Sequence, residues 1–255
     1  MEQYSNIYVV DNASTDGSQK YLESISSSRV HILFQKENLG VAAGRNVGLR
    51  MAEDDIIVCL DDDAVMSPTQ FGFIEDIFFQ EPDLGVLCPL VFHGETGIPQ
   101  NPHGNYRVEV ANYHGAAHVF RKQALEKIRF LDEGCFFGGE ELDSCIRLYN
   151  AGYRCVYAPD VTAKHYSFMR SGSQGLDRFL HWTFNYARVL YKNFPNEMAR
   201  CYANRLLIAR AFHGWQRFGA KTILKIWRAD QKGRAAGKLQ YCPVSDSTIA
   251  FYKNE

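Results

Sequence analysis

Three consecutive carboxylates, Asp61-Asp62-Asp63, follow directly on the apolar run Ile56-Ile57-Val58-Cys59-Leu60. Three of those five apolar residues are β-branched, so the run reads as a strand buried on both faces. A packed core cannot hold three unpaired like charges, which places the cluster at the strand's carboxyl end. In open α/β folds that edge is where ligands bind. Asp61 and Asp63 fall on the same side of an extended chain, as two ligands of one divalent cation must. A solvated acidic turn, capping a helix that begins near Ser67-Pro68, explains the same residues without a metal. A second acidic group, Glu140, Glu141 and Asp143, opens a helix after Gly138-Gly139. Its plain reading is first-turn charge that complements the helix dipole.

The glycine patterns that cradle phosphates, Gly-x-Gly-x-x-Gly and Gly-x-x-x-x-Gly-Lys-Ser/Thr, are both absent. Dinucleotide binding of the Rossmann type and P-loop hydrolysis therefore lack their main-chain anion sites. A nucleotide held through a metal fits better, the cation bridging a diphosphate to Asp63.

The elements that would position these acids alternate. Ile7-Tyr8-Val9-Val10 is a short strand ending in the polar turn Asp11-Asn12-Ala13-Ser14-Thr15-Asp16-Gly17-Ser18, and a helix follows to about Ile25. Residues 30–34 form a second strand, and Asn38-Leu39-Gly40 turns into a helix over 41–51 that carries Arg45 and Asn46. After the aspartate strand come a helix over 68–80 and a strand over 85–91. Strands alternating with helices predict a mostly parallel sheet covered on both faces. The 92–112 stretch is Gly-, Pro- and Asn-rich and aperiodic, either a functional loop or a plain surface excursion. A strand over 114–120, a helix over 122–127, the acidic helix up to Ala151-Gly152, and short strands over 153–157 and 161–165 complete the α/β part.

From Gly175 the pattern is helical, and Pro195 breaks it. Arg217, Lys221, Lys225, Arg228 and Lys232 recur at helical spacing, with Trp215, Ile223, Ile226 and Trp227 opposite, which predicts a basic amphipathic helix within about 200–238. Either one face packs on the domain and the other is solvated, or the helix adheres to an anionic membrane surface. From Arg200 to Lys238 there are ten Lys or Arg and one acid, Asp230, a local charge of +9 in a chain of net charge −1. The bulk balance gives no field for nucleic acid. Seven cysteines without zinc or redox spacing point to a reduced compartment. The polar start and the lack of a spanning apolar run predict a cytoplasmic protein, with the inner membrane face as a peripheral location.

At this point the motifs resemble a known family. Val9 to Ser18, then Asn38-x-Gly40 with Arg45-Asn46-x-Gly48, then Leu60-Asp61-Asp62-Asp63 are similar to the family 2 inverting glycosyltransferases of GT-A fold. Gly115-Ala116, Phe120-Arg121-Lys122, the run Phe136 to Asp143, Arg147-Leu148, Ala151-Gly152-Tyr153, Pro159 and His165 extend the likeness across residues 5 to about 173. The branch it most resembles builds bacterial polysaccharides and includes rhamnosyltransferases.

The resemblance implies a GT-A-like domain over 1–173, a helical extension over 174–255, and a role for each matched residue. Asp11 would contact the base or ribose, and Arg45 would lie near the nucleotide. Asp61 and Asp62 belong to the D-x-D element, and Asp63 is the direct ligand of Mn2+ or Mg2+, with Asp61 and His165 beside it. Glu140-Glu141 match the acid pair whose second member is the general base; Glu141 is longer than the usual Asp, so Glu140 stays a candidate. Arg170, Ser171 and Ser173 match a loop that closes over the diphosphate. The implied donor is a UDP- or TDP-sugar, and the acceptor is a hydroxyl of a glycan or lipid-linked glycan. The family also has an earlier strand, expected between the strands ending at Asp11 and Asp61, which would otherwise leave two edges unpaired. That gap motivates a second expectation, a truncated or non-catalytic binding protein. A metal-dependent nucleotidyltransferase is a third, against which the Glu140 to His165 block counts.

Overall fold

The computed structural model describes residues 6–25, 27–166 and 172–254. The first apolar run forms β1 (Ile7–Asp11), which the polar turn links to α1 (Ser18–Glu23) and then β2 (Val30–Phe34). β1 and β2 pair in parallel, Ile7 opposite Val30 and Asp11 opposite Phe34. α2 (Val41–Met51) starts at Gly40, where φ is 82° and an added Cβ would lie 2.6 Å from the Phe136 carbonyl oxygen. Only glycine meets both demands. β3 (Ile56–Leu60) runs into the aspartates, and β4 (Ala64–Met66) leaves them. A 3-10 turn at Pro68–Gln70 then leads into α3 (Phe71–Gln80).

The remaining elements are β5 (Leu84–His93), β6 (Val108–Glu109), β7 (Ala117–Arg121), α4 (Lys122–Lys127), α5 (Glu140–Asn150), β8 (Arg154–His165), α6 (Gly172–Asn193), α7 (Asn196–Phe218), α8 (Ile223–Leu239) and α9 (Asp246–Asn254). The main sheet has the order β3-β7-β5-β8-β4, with β6 on β8 as well. β6 meets β8 at Val156 and Tyr157, while β4 meets it from Ala163 to His165, so two short strands share one edge of a long one.

The α/β class with a helix-flanked sheet and a helical C-terminal part is as expected. The sense of the strands differs. β1–β2 and β5–β8 are parallel, but β3–β7, β5–β7, β4–β8 and β6–β8 are antiparallel. A parallel neighbour needs a crossover, usually helical, and the 94–116 connection from β5 to β7 contains no helix. The two short strands expected over 153–157 and 161–165 are one strand, β8, with a register shift against β5 between Pro89 and Leu90.

The core lies on both faces of this sheet, and side-chain alternation assigns each residue. Val86, Cys88, Phe120 and Tyr157 pack toward α5 and α6 with Ile146 and Leu148. Leu87, Val119 and Val156 face the other way, onto Ile74, Ile77 and Phe78 of α3. Among the described residues β1 pairs with β2 alone and β3 with β7 alone, so each keeps an edge without a strand on it. α2 bridges the two units. Its Gly44 and Gly48 lie against Asn12 and Val10, at 3.1 and 3.2 Å for an ideal Cβ, while its Ala42 and Leu49 belong to the main core.

The 200–238 stretch is not a single helix. At Gly219 φ is 84°, and the chain turns back through Ala220–Thr222. α7 and α8 run antiparallel, with Gly214 against Ile226 and Asn204 accepting from Arg234 at 2.9 Å. Of the residues expected on the apolar side of one helix, Ile226 is buried whereas Trp215, Ile223 and Trp227 are exposed.

Candidate active site

Asp61 begins the turn between β3 and β4. Its N–H donates to the Ala116 carbonyl on the neighbouring β7 side at 2.9 Å, and its carbonyl accepts from Ala64 at 3.0 Å. This tight turn points Asp61 and Asp63 to one side and leaves Asp62 exposed. β4 pairs with the end of β8, Ala64 opposite His165, and so brings a residue a hundred positions away to the aspartates. One ligand atom from each of Asp61, Asp63 and His165 lies within 4.8 Å of the others. His165 Nε2 is 3.2 Å from Asp63 Oδ1, and its Nδ1 is 3.0 Å from Gln100 Oε1. A ligating imidazole needs its second nitrogen held in this way. The carboxylates of this donor set suit Mn2+ or Mg2+, and its imidazole favours the transition-metal ion.

Beside this cluster stands Arg45 of α2. It donates to Asp61 Oδ1 at 2.5 Å, to the Gly115 carbonyl at 2.9 Å and to Glu140 Oε1 at 3.3 Å. Burial opposes its charge, but Asp61, Glu140 and Glu141 outweigh that cost and hold the proton on. Glu140 and Glu141 open α5, positioned by Gly139 at φ 95°. Glu140 is 1% exposed, and its Oε2 has no hydrogen-bond partner among the described residues. Burial first, and the neighbouring Glu141 charge second, push its pKa up to about 8 against the opposing pull of Arg45. Burial raises Glu141 too, again opposed by Arg45. Glu141 is the more accessible of the two, and its Oε1 would lie 2.5 Å from a Cβ at Gly115. Gly115 is thus small because a carboxylate approaches it.

Asp11 stands apart. Its carboxylate accepts from the Ser14 N–H at 3.2 Å and from Gln19 Nε2 at 2.7 Å. Burial would raise its pKa, but these hydrogen bonds leave it lowered. The link to the Asp61, Asp63 and His165 cluster runs through Asn12, which donates to the Gly40 carbonyl at 3.0 Å and accepts from the Leu39 N–H at 2.9 Å at the start of α2. The expected closing residues Arg170 and Ser171, and the Ser173 side chain, lie outside the described residues.

Two site residues escaped the sequence reading. His114, whose ring is 5.7 Å from that of His165, is held neutral chiefly by burial, with a pKa lowered to about 4. Gln100 comes from the 92–112 stretch, which therefore contributes to the site through one side chain. No spacing rule marks either residue.

The profile of Glycosyl transferase family 2 matches residues 2–147. A pre-mycofactocin glycosyltransferase from Mycobacterium tuberculosis is 28% identical over 185 residues, 62% of this chain and 37% of that protein. The chain thus spans little more than a third of that relative's length. Among solved structures, the fold is similar to Staphylococcus aureus TarS 1–349 in complex with UDP-GlcNAc, with a TM-score of 0.60 and 14% identity over 98% of this chain and 82% of that one. It is also similar to the mannosyltransferase PcManGT from Pyrobaculum calidifontis in complex with GDP-Man and Mn2+, with a TM-score of 0.55 and 17% identity over 98% and 69%. The sheet, the tri-aspartate turn and the profile agree, and the chain belongs to the family 2 glycosyltransferases.

Proposed function

We propose that the chain is a metal-dependent, inverting glycosyltransferase that moves a sugar from a nucleoside-diphosphate donor to a hydroxyl of a glycan or lipid-linked glycan. The observation that carries this reading is the convergence of Asp61, Asp63 and His165 beside a buried acid pair, with Arg45 between them. Asp63, Asp61 and His165 would hold Mn2+ or Mg2+, which when bound supplies positive charge for the departing diphosphate. Asp11 and Asp62 are assigned to the nucleotide side, as are Arg170 and Ser171.

Glu141 is assigned as the general base. Glu140 is sealed in and tied to Arg45, which suits a fixed counterion, whereas Glu141 reaches the edge of the site. The acceptor oxygen attacks the anomeric carbon from the face opposite the diphosphate. As the new C–O bond forms, the bond to the diphosphate oxygen breaks, and the acceptor proton passes to Glu141. A single displacement inverts the anomeric configuration. UDP- and TDP-sugars are the donors proposed first, and the structures similar in fold hold UDP-GlcNAc and GDP-Man. The proposed location is the cytoplasm, with part of the protein on the inner membrane face.

A second reading, a glycosyltransferase-like binding protein without turnover, is favoured by the open edges of β1 and β3. One experiment separates the two. Thermal unfolding is followed with UDP, TDP, GDP and CDP, each with and without Mn2+, and donor turnover is then assayed with the nucleotide that stabilises. A ligand at a hundredfold excess over its Kd stabilises by about 2.7 kcal/mol. Asp63→Ala is expected to remove the metal-dependent part of the shift and leave the transition cooperative. An unchanged shift in Asp63→Ala sinks the metal assignment, and a metal-dependent shift without turnover favours the binding protein.

A further inference from the structure

The hairpin of α7 and α8 has an outer surface that its packing does not explain. Its inner faces are accounted for, with Ala203, Gly214, Ile226 and Gly233 packed inward and Gly233 against the α6 backbone at Phe184. On the opposite side of α7, Ile208, Phe212 and Trp215 form one stripe by their spacing, with Ile208 72% and Trp215 51% exposed. Across the Gly219 turn, Ile223, Leu224 and Trp227 are exposed on the first turns of α8, Trp227 at 50%. Because Gly214 meets Ile226, the residues from 212 to 228 cluster at one end of the hairpin. Arg217, Lys221, Lys225, Arg228 and Lys232 are exposed among and beside them. Asp230, the one acid between residues 200 and 238, is 3% exposed and bonded to Arg234, so every charge exposed in that stretch is positive; Glu197 lies at the far end of the hairpin.

Solvated helices show single exposed apolar residues, not six together with two tryptophans. Tryptophan beside lysine and arginine is the composition of a surface that sits at the boundary between water and lipid. The surface is made by two helices packed side by side, which suits a deformable flat partner. No described helix is long and apolar enough to cross a membrane, so any membrane contact of these helices is a lateral one.

We propose that the α7–α8 tip is an interfacial anchor for anionic lipid bilayers, with Phe212, Trp215, Leu224 and Trp227 seated among the acyl chains and the flanking cations on lipid headgroups. The anchor goes beyond the transferase reading and is measured without donor or acceptor. On that reading it holds the catalytic domain at the surface where a lipid-linked acceptor resides.

The test is co-sedimentation of the full chain with vesicles of equal parts phosphatidylcholine and phosphatidylglycerol, against vesicles of phosphatidylcholine alone. Binding to the anionic vesicles is expected to weaken with salt and to shift tryptophan emission to the blue. Trp215→Ala with Trp227→Ala, and separately Lys221→Gln with Lys225→Gln and Arg228→Gln, are each expected to weaken binding by roughly tenfold or more. All five positions are exposed, so the unfolding transition should remain, and Trp215→Phe with Trp227→Phe should retain most of the binding. Asp63→Ala should bind vesicles normally, which separates failure of the anchor from failure of the donor site. The proposal is overturned if neither vesicle binds, if the substitutions leave binding unchanged, or if the surface instead selects an acidic protein or a single-stranded nucleic acid over lipid.

Discussion

Arg45 has three acids within its field and satisfies two of them directly. Its positive charge lowers the proton affinity of Glu141, while burial raises it further. On the proposed mechanism Glu141 must be ionised to take the acceptor proton, so kcat/KM should rise with pH through a limb above the ordinary carboxylate range. Removing the cation removes the lowering contribution, so Arg45→Gln should move that limb to higher pH. Glu141→Gln should lower kcat by about 10²–10⁴ while metal-dependent nucleotide binding persists. Initial rates across pH check both, and a larger loss in Glu140→Gln than in Glu141→Gln would reverse the assignment. That Asp61 and Asp63 face one side at a strand end was legible in the sequence because three adjacent acids after an apolar strand have few stable placements. His165 was legible only through the family resemblance. Gln100 and His114 were not legible, since their roles depend on which distant strand ends the sheet sets side by side.

At the scale of elements, the C-terminal helices depend on close backbone approach. An added Cβ at Gly233 would lie 2.2 Å from the Phe184 carbonyl oxygen, and one at Gly237 would lie 2.4 Å from that of Arg188. Gly233→Ala gains helix propensity but must push α8 off α6. A net loss of about 1–3 kcal/mol is expected, read as a lower denaturation midpoint. Unchanged stability would mean that α8 can shift freely. The element order was largely readable from the sequence: α4 falls where the sequence places it, and the Pro195 break separates α6 from α7. The Gly219 turn was hidden because cations at spacings of three and four run straight through it. The mixed strand sense was hidden because strand apolarity reports burial, not direction.

The molecule as a whole is a large packed body with a small appended unit. β1, α1 and β2 share no strand pairing with the main sheet among the described residues, and Asn12 and α2 carry the connection. Asp11 belongs to the small unit, while Asp61, Asp63, His165 and the acid pair belong to the body. Such a unit can open while the body stays folded, at a free energy below that of global unfolding. Amides of β1 and β2 should therefore exchange with solvent hydrogen sooner than those of β5 and β8, and mass spectrometry of deuterated peptides would measure the difference. Equal protection would show one cooperative body. The consequence for ligand binding is energetic. On the proposed function, a nucleotide that touches both parts binds only molecules whose small unit is closed, so its apparent affinity falls in proportion to the fraction that is open. The same nucleotide should then slow exchange in β1 and β2 more than anywhere in the main sheet.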